Sequence, residues 1–327
     1  MPVRRAAPRP VVVLDRALER LPLFRLSDSA ADEGALQYAP AAGARWRVLP
    51  APGDRLPGTF DQDVYVGLLH RWTEAGRPDD GAVTFTLHAL LRALGRKADG
   101  RTYAQLRHAL TRLERTTLET TAGAYQSAAL PEVGRGAGFG VGPGEARGGA
   151  RFSVLSSVVI ERRRTGAPGG GPAEQLALFP EFDSNDPGDA RVVLAPPVRA
   201  NLLAGRVTEL SWACYQRLAS PVARRLYRLL AALDPADDDA PAPGADDGAE
   251  GEWAGARRWR APLERWAERL PLAQRYPSHL QRVLAPAHDM LAAAGLVRAA
   301  TFVQEGRAWW VEYELADAPA RRAAAPR

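Results

Sequence analysis

Hydrogen-bond donors recur on one side of the segment from residue 101 to residue 115. The set consists of Arg101, Gln105, His108, Thr111, Arg112 and Arg115, with Ala104 among them. Guanidinium groups suit phosphates and guanine edges, and an amide suits adenine. From residue 92 to residue 115 there are seven basic residues against Asp99 and Glu114. The pattern favours a helix that contacts duplex DNA, and the alternative is an arginine-rich face that contacts only solvent.

Apolar spacing predicts the elements that position these donors. Residues 59–121 are expected to form a helix, a short strand, two helices joined by a basic turn, and a second strand. Thr59 and Gln62 stand at capping-box spacing at the start of the first helix. The last helix turns one apolar face inward, formed by Tyr103, Leu106, Leu110 and Leu113. This order of elements is typical of a winged helix-turn-helix, with Arg96 and Lys97 in the turn and Thr102 at the start of the DNA-reading helix.

The same order returns in the second half of the chain. A short helix over residues 262–270 precedes a turn that contains Arg275, and Ser278 is expected to cap a longer helix that ends near residue 294. Its outward side chains are His279, Arg282 and Asp289. Two strands over residues 297–303 and 308–315 then form a compact wing. The predicted fold class is α+β, with two tandem winged helix-turn-helix domains, mainly α with small antiparallel sheets.

Composition along the chain predicts the domain limits. Residues 1–20 are expected to be a flexible basic arm and residues 319–327 a tail. A first winged-helix domain spans residues 21–162, with residues 152–160 as the return strand and a Gly-rich wing insertion over residues 123–150. A linker covers residues 163–190. The second domain spans residues 191–318 and carries an acidic insertion over residues 234–252, which phosphate would repel.

Overall composition points to an anionic partner and excludes several kinds of site. The chain of 327 residues has a net charge of +5. Lys97 is the only lysine and no Gly-rich phosphate loop precedes it, which excludes a P-loop ATPase. One cysteine, Cys214, and no closely spaced pair of histidines argue against a zinc site or a metal-dependent nickase. We expect a non-enzymatic protein without a cofactor.

The sequence predicts neither a membrane-spanning segment nor a secretory signal peptide. No apolar run reaches the length that spans a bilayer, and the first residues lead into no signal-peptide core. We therefore expect a cytoplasmic protein, associated with the nucleoid or a plasmid.

An apolar island interrupts the predicted linker. It contains Gln175, Leu176, Leu178 and Phe179. The island resembles the short motif by which bacterial replication proteins bind the sliding clamp of the replicative polymerase. The alternative is that its leucines and phenylalanine pin the linker to the protein's own surface.

Four segments carry a resemblance to a known family. They are LPGTFDQDVYVGLLHRW, GRTYAQLRHALTRLERTTL, ARRLYRLLAAL and LAPAHDMLAAAGLV. They are similar to the replication initiator protein A family of bacterial plasmids, which relates to the two-winged-helix Rep initiators. The resemblance implies binding to double-stranded iterons at an origin, duplex opening with a host initiator or helicase, and often repression of the initiator's own promoter.

The resemblance also implies a division of labour between the two domains. In such proteins the first winged helix commonly serves homodimerisation, and the second makes much of the specific base contact. On that basis Arg275, Ser278, His279 and Arg282 matter alongside the first helix. The alternatives are a winged-helix transcriptional repressor on a palindromic operator, and an interaction scaffold that uses only the clamp-like motif. An enzyme acting on DNA would need clustered carboxylates or a metal-bound tyrosine site, and the sequence shows neither.

Overall fold

The computed structural model describes residues 11–26, 34–121, 123–130, 149–161, 189–233, 257–272 and 276–316. The strands in these ranges are β1 (Val11–Asp15), β2 (Leu36–Tyr38), β3 (Arg45–Leu49), β4 (Ala82–Thr86), β5 (Thr117–Thr121), β6 (Gly149–Phe152), β7 (Leu155–Glu161), β8 (Asp189–Leu194), β9 (Val207–Ser211), β10 (Arg257–Pro262), β11 (Val297–Glu305) and β12 (Ala308–Leu315). The helices are α1 (Arg16–Glu19), α2 (Thr59–Glu74), α3 (Leu87–Ala93), α4 (Gly100–Arg115), α5 (Pro196–Leu203), α6 (Trp212–Arg217), α7 (Pro221–Ala232), α8 (Leu263–Arg269) and α9 (Pro277–Ala293).

The first winged-helix unit consists of α2, β4, α3, α4, β7 and β8. Its sheet is antiparallel, with β8 between β4 and β7. Helix α4 packs on α2 and α3 through Leu106, Leu110 and Leu113, none of which is exposed. Apolar residues at helical spacing thus bury one face of α4 and leave the other to solvent.

The second unit repeats this arrangement with α7, β10, α8, α9, β11 and β12. Strand β12 lies between β10 and β11, so the strand order matches that of the first sheet. Leu280, Leu284 and Leu291 bury one face of α9. A two-residue turn at Gly306, where φ is +60°, joins β11 to β12 as the sequence predicts. The α+β fold with two tandem winged helix-turn-helix units is therefore confirmed.

The wing of the first unit differs from the prediction. Strand β5 does not pair with the whole of residues 152–160, because that run is divided between two sheets. Phe152 is the last residue of β6, which pairs with β5 in a four-stranded sheet of order β2-β3-β5-β6, whereas residues 155–160 lie in β7, which pairs with β8. The segment over residues 123–150 therefore connects β5 to β6 and is not the wing insertion. Most of it, residues 131–148, lies outside the described residues.

The predicted linker over residues 163–190 is also wrong as a connection between domains. Strand β8 pairs with β4 and β7, so Asp189–Leu194 belong to the first unit. Residues 162–188 hence connect the two strands of the first wing. The alternation of apolar residues in β8 predicts a strand. It does not predict the partner strands, because a strand can pair with residues far away in the sequence. The segment itself lies outside the described residues, as do residues 234–256 and 317–327.

Residues 11–19 are not part of a flexible arm. The side chains of Val12, Val13 and Leu14 are fully buried in β1, which pairs antiparallel with β9. Asp15 caps α1 and accepts hydrogen bonds from the Tyr125 hydroxyl (2.5 Å) and the Asn201 amide (3.1 Å). Burial raises the pKa of Asp15 to about 6. The start of the chain is therefore part of the core, and residues 1–10 lie outside the described residues.

Two helix caps differ from the predicted ones. Helix α2 begins at Thr59, but its cap is formed by Asp61, whose Oδ2 accepts from the Gly58 N–H at 2.7 Å. Gln62 instead donates to the carbonyl oxygen of Pro221 in α7. Helix α9 begins at Pro277, so Ser278 lies inside its first turn and does not cap it.

Buried arginines of α7 join the second unit to the first half of the chain. Arg225 donates to the carbonyl oxygens of Glu19 and Leu21, both at 2.8 Å. Arg228 lies 2.9 Å from the Glu19 carboxylate, and these three charged side chains are about 1% exposed. Burial lowers the pKa of Arg225 to about 9. One buried carboxylate thus contacts two buried guanidinium groups inside the protein.

Candidate nucleic-acid interface

The outer face of α4 is rich in hydrogen-bond donors. Arg101, Gln105, His108 and Arg115 are exposed, and Thr111 is half-buried. Arg107, which was not predicted to lie on this face, is also half-buried. The structure therefore brings most of the predicted α4 residues to one solvent-facing surface.

Arg112 is an exception, and its predicted position on the outer face is wrong. Its side chain is buried and forms two hydrogen bonds to Asp61, from Nε to Oδ2 at 3.1 Å and from one terminal nitrogen to Oδ1 at 3.0 Å. Asp54 lies 3.7 Å from the third nitrogen. Arg112 therefore has no free donor face for a base, and it fixes α4 against the start of α2.

The two carboxylates beside the outer face of α4, those of Asp99 and Glu114, are engaged in hydrogen bonds within the protein. Asp99 caps α4, accepting from both the backbone N–H of Thr102 (2.9 Å) and its hydroxyl (2.8 Å). These bonds lower the pKa of Asp99. The Glu114 carboxylate accepts from the Val158 N–H of the wing strand β7 at 3.0 Å. The exposed part of α4 therefore presents cations and neutral donors.

The basic turn before α4 is tied to the contact between the two units. Lys97 is exposed, whereas Arg96 donates to Asp63 Oδ2 at 3.0 Å and keeps 45% of its side chain exposed. The same oxygen accepts from Arg224 of α7 at 2.5 Å, and Oδ1 accepts from the Tyr215 hydroxyl. Asp63 is buried, so one carboxylate holds the turn and the second half of the chain together.

The residues of α9 that the sequence predicts to contact DNA lie in its first turns. Ser278 and Arg282 are exposed, and His279 is half-buried, with its Nδ1 3.4 Å from an Arg282 nitrogen. Arg275 lies outside the described residues. Sequence reasoning missed Tyr276, which precedes the helix with 76% of its area exposed. The local sequence signal for its position was Pro277, which favours the first turn of a helix and so places Tyr276 just before α9.

A buried hydrogen-bond chain fixes α9 on its sheet. The Trp266 Nε1–H donates to the Tyr313 hydroxyl at 2.7 Å, and this hydroxyl lies 2.7 Å from His288 Nε2. Burial lowers the pKa of His288 to about 4. The Nε2 atom of a neutral imidazole accepts a hydrogen bond from the Tyr313 hydroxyl, whose oxygen accepts from Trp266, so the hydroxyl has both a donor and an acceptor. The position of α9 is therefore set by β12 and α8.

Gln175, Leu176, Leu178 and Phe179 lie outside the described residues, on the connection between β7 and β8. Within the described ranges, no group of three or more His, Cys, Asp or Glu side chains could hold a metal ion. None of the described helices is long and apolar enough to cross a membrane.

Comparison with solved structures supports the fold over nearly the whole chain. The chain is similar to domains 2 and 3 of RctB, with a TM-score of 0.50 at 12% identity over 91% of this chain and 95% of that one. A second structure of RctB domains 2–3 gives a TM-score of 0.50 at 10% identity over 95% and 100%. The Pi initiator protein in complex with iteron DNA gives 0.43 at 12% identity, over 95% and 99%.

Comparison at the level of families concerns the first half. No curated protein matches the chain. Residues 14–131 match the family model of replication initiator protein A. The match covers α2, α3, α4 and β5, and so includes the donor-rich helix, but only the last two residues of β1. The resemblance to the replication initiator protein A family is therefore confirmed over residues 14–131.

Proposed function

We propose that the chain is a non-enzymatic initiator of replication for a plasmid or secondary replicon. It binds repeated double-stranded sites at the origin through the outer faces of α4 and α9, and it recruits a host initiator or helicase. Homodimerisation, and repression of its own gene, are further parts of this proposal. The family match over residues 14–131 supports the role in replication.

The observation that carries the proposal is the outer face of α4. Arg101, Gln105, His108 and Arg115 are exposed along its length, while Asp99 and Glu114 are engaged in capping and in the wing contact. A helix whose exposed side chains donate hydrogen bonds, beside an N-terminal end with partial positive charge, suits the major groove of DNA.

Single substitutions on α4 test this face. Gln105→Ala and His108→Ala are each expected to weaken specific binding by about 1–3 kcal/mol and to relax specificity at one base position. Arg101→Ala is expected to weaken binding to all sequences and to reduce the salt slope by about one. The matched control is Arg206→Ala, an exposed arginine in the turn between α5 and β9. Affinities measured by fluorescence anisotropy that are equal for all four variants would contradict the groove assignment.

Footprinting distinguishes the proposed initiator from a repressor. The full chain is applied to DNA flanking its own gene across a salt series. Protection of several direct repeats, lost steeply as salt rises, is the result expected of an initiator with many phosphate contacts. Protection of one palindrome would instead indicate a repressor, and no protection would leave only the scaffold.

We also propose that the clamp-like motif binds the polymerase sliding clamp. The residues concerned are Gln175, Leu176, Leu178 and Phe179, on the connection between the two strands of the first wing. In such a contact, one leucine-phenylalanine pair enters apolar pockets on the clamp, and these few residues supply most of the binding energy.

Replacement of Leu178 and Phe179 by alanine is expected to abolish binding to the purified clamp in biolayer interferometry. DNA affinity and the thermal midpoint are expected to stay unchanged, and Ala177→Ser serves as the control. A lower thermal midpoint with unchanged clamp binding would mean that the motif packs on the protein's own surface.

A further inference from the structure

The two DNA-facing helices differ along their lengths. Helix α4 carries exposed donors from its first turn, at Arg101, to its last, at Arg115. On α9 the exposed residues beyond Arg282 are Ala285, Pro286, Asp289, Ala292 and Ala293. Methyl groups and a carboxylate offer phosphates no hydrogen bond, and Asp289 repels them. The later turns of α9 are therefore unsuited to a groove, in contrast to those of α4.

The start of α9 has the opposite character. Ser278 and Arg282 are exposed donors, and the positive end of the helix dipole adds to their attraction for DNA. Asp289 lies roughly 18 Å along the axis from Pro277, the first residue of the helix, because an α-helix rises about 1.5 Å per residue. The N-terminal end of α9 therefore presents positive charge and its later turns present negative charge, which favours contact with DNA at the N-terminal end.

Tyr276 stands at this end with its ring in solvent. Among the large apolar side chains of the described residues, it is the most exposed at 76%, against 47% for Val159 and 44% for Leu203. Its backbone is fixed, because its carbonyl oxygen accepts from the N–H groups of His279 (3.0 Å) and Leu280 (2.9 Å). The aromatic ring is therefore presented from an ordered position and contributes little to the core.

We infer that α9 enters the major groove by its N-terminal end, where the Tyr276 ring contacts the methyl group of a thymine. This inference rests on the proposed function. The thymine methyl is the apolar group on the major-groove edges of the bases, and apolar side chains read it by direct contact. Arg282 and Ser278 are the adjacent hydrogen-bond donors for phosphate, a contact that an aromatic ring cannot make. Tyr276 is thus a specificity-determining residue.

The test starts from a duplex that the full chain selects from a randomised pool. The parent, Tyr276→Ala and Tyr276→Phe are compared on this duplex and on copies in which single thymines are replaced by uracil, which lacks the methyl group. Tyr276→Ala is expected to bind about tenfold more weakly, and Tyr276→Phe within about twofold of the parent. One uracil is expected to weaken the parent by the same factor and to leave Tyr276→Ala unchanged.

Two controls separate this inference from folding and from the proposed function. The thermal midpoint of Tyr276→Ala is expected to equal that of the parent, since the side chain is exposed, and Asp289→Ala is expected to bind at least as tightly as the parent. Binding of Tyr276→Ala equal to that of the parent, or uracil losses that are the same in both proteins, would overturn the inference. Failure to select any duplex would overturn the proposed function instead.

Discussion

Replacement of Arg112 by alanine is expected to lower the free energy of unfolding by about 3–5 kcal/mol, because it leaves a buried carboxylate without its partner. Asp61 is 1% exposed and accepts two hydrogen bonds from the guanidinium group as well as the capping bond from Gly58. Loss of the fork also loosens α4 against α2. Urea unfolding followed by circular dichroism measures the change.

Comparison with other arginine variants makes this result specific. Arg112→Lys keeps the charge but cannot form both hydrogen bonds, so an intermediate loss is expected. Arg115→Ala, one turn later on the exposed face, is expected to stay within about 0.5 kcal/mol of the parent. If Arg112→Ala unfolded like the parent and only its DNA affinity fell, Arg112 would be a DNA contact after all.

Replacement of Glu19 by alanine is expected to destabilise the chain by a similar amount, about 3–5 kcal/mol. The substitution leaves Arg225 and Arg228 buried without the carboxylate that contacts both of them. These residues belong to α7, so the contact between the second unit and the N-terminal segment should open first. The denaturant midpoint measures stability, and proteolysis that cleaves between β1 and α2 would locate the opening.

An exposed glutamate provides the control for Glu19. Glu74 pairs with His70 at 3.4 Å, but its side chain is 60% exposed. Glu74→Ala is therefore expected to change stability by no more than about 1 kcal/mol. Glu19→Gln is expected to lose less than Glu19→Ala, since an amide oxygen still accepts hydrogen bonds. Equal midpoints for Glu19→Ala and Glu74→Ala would show that the buried cluster does not stabilise the chain.

The helices of the first winged-helix unit, α2, α3 and α4, were predictable because their signals are local. Leu106, Leu110 and Leu113 repeat at helical spacing, and Gly76 and Gly95, which have positive φ values, end α2 and α3. Strand pairing was not predictable in the same way. The strands β5, β6, β7 and β8 have suitable compositions for several partners, and pairing depends on residues far along the chain. The wing was therefore assigned to the wrong pair.

The candidate site was likewise predictable where the sequence signal is local and unpredictable where it depends on distant residues. The exposure of Arg101, Gln105 and His108 follows from helical periodicity, since they lie opposite the apolar stripe. Arg112 borders that stripe, and its buried partner lies 51 positions earlier, which periodicity does not reveal. Tyr276 was missed for the reverse reason, because an aromatic residue beside a helix is usually buried.

The pairing of β1 with β9 has a consequence for biosynthesis. The apolar strand Val11–Asp15 leaves the ribosome before its partner Val207–Ser211, which follows about 200 residues later, after roughly 10–40 s of translation. During that interval three buried side chains, Val12, Val13 and Leu14, have no β9 to pair with. The nascent chain therefore carries an apolar strand without its partner, which makes it a substrate for chaperones until β9 has emerged.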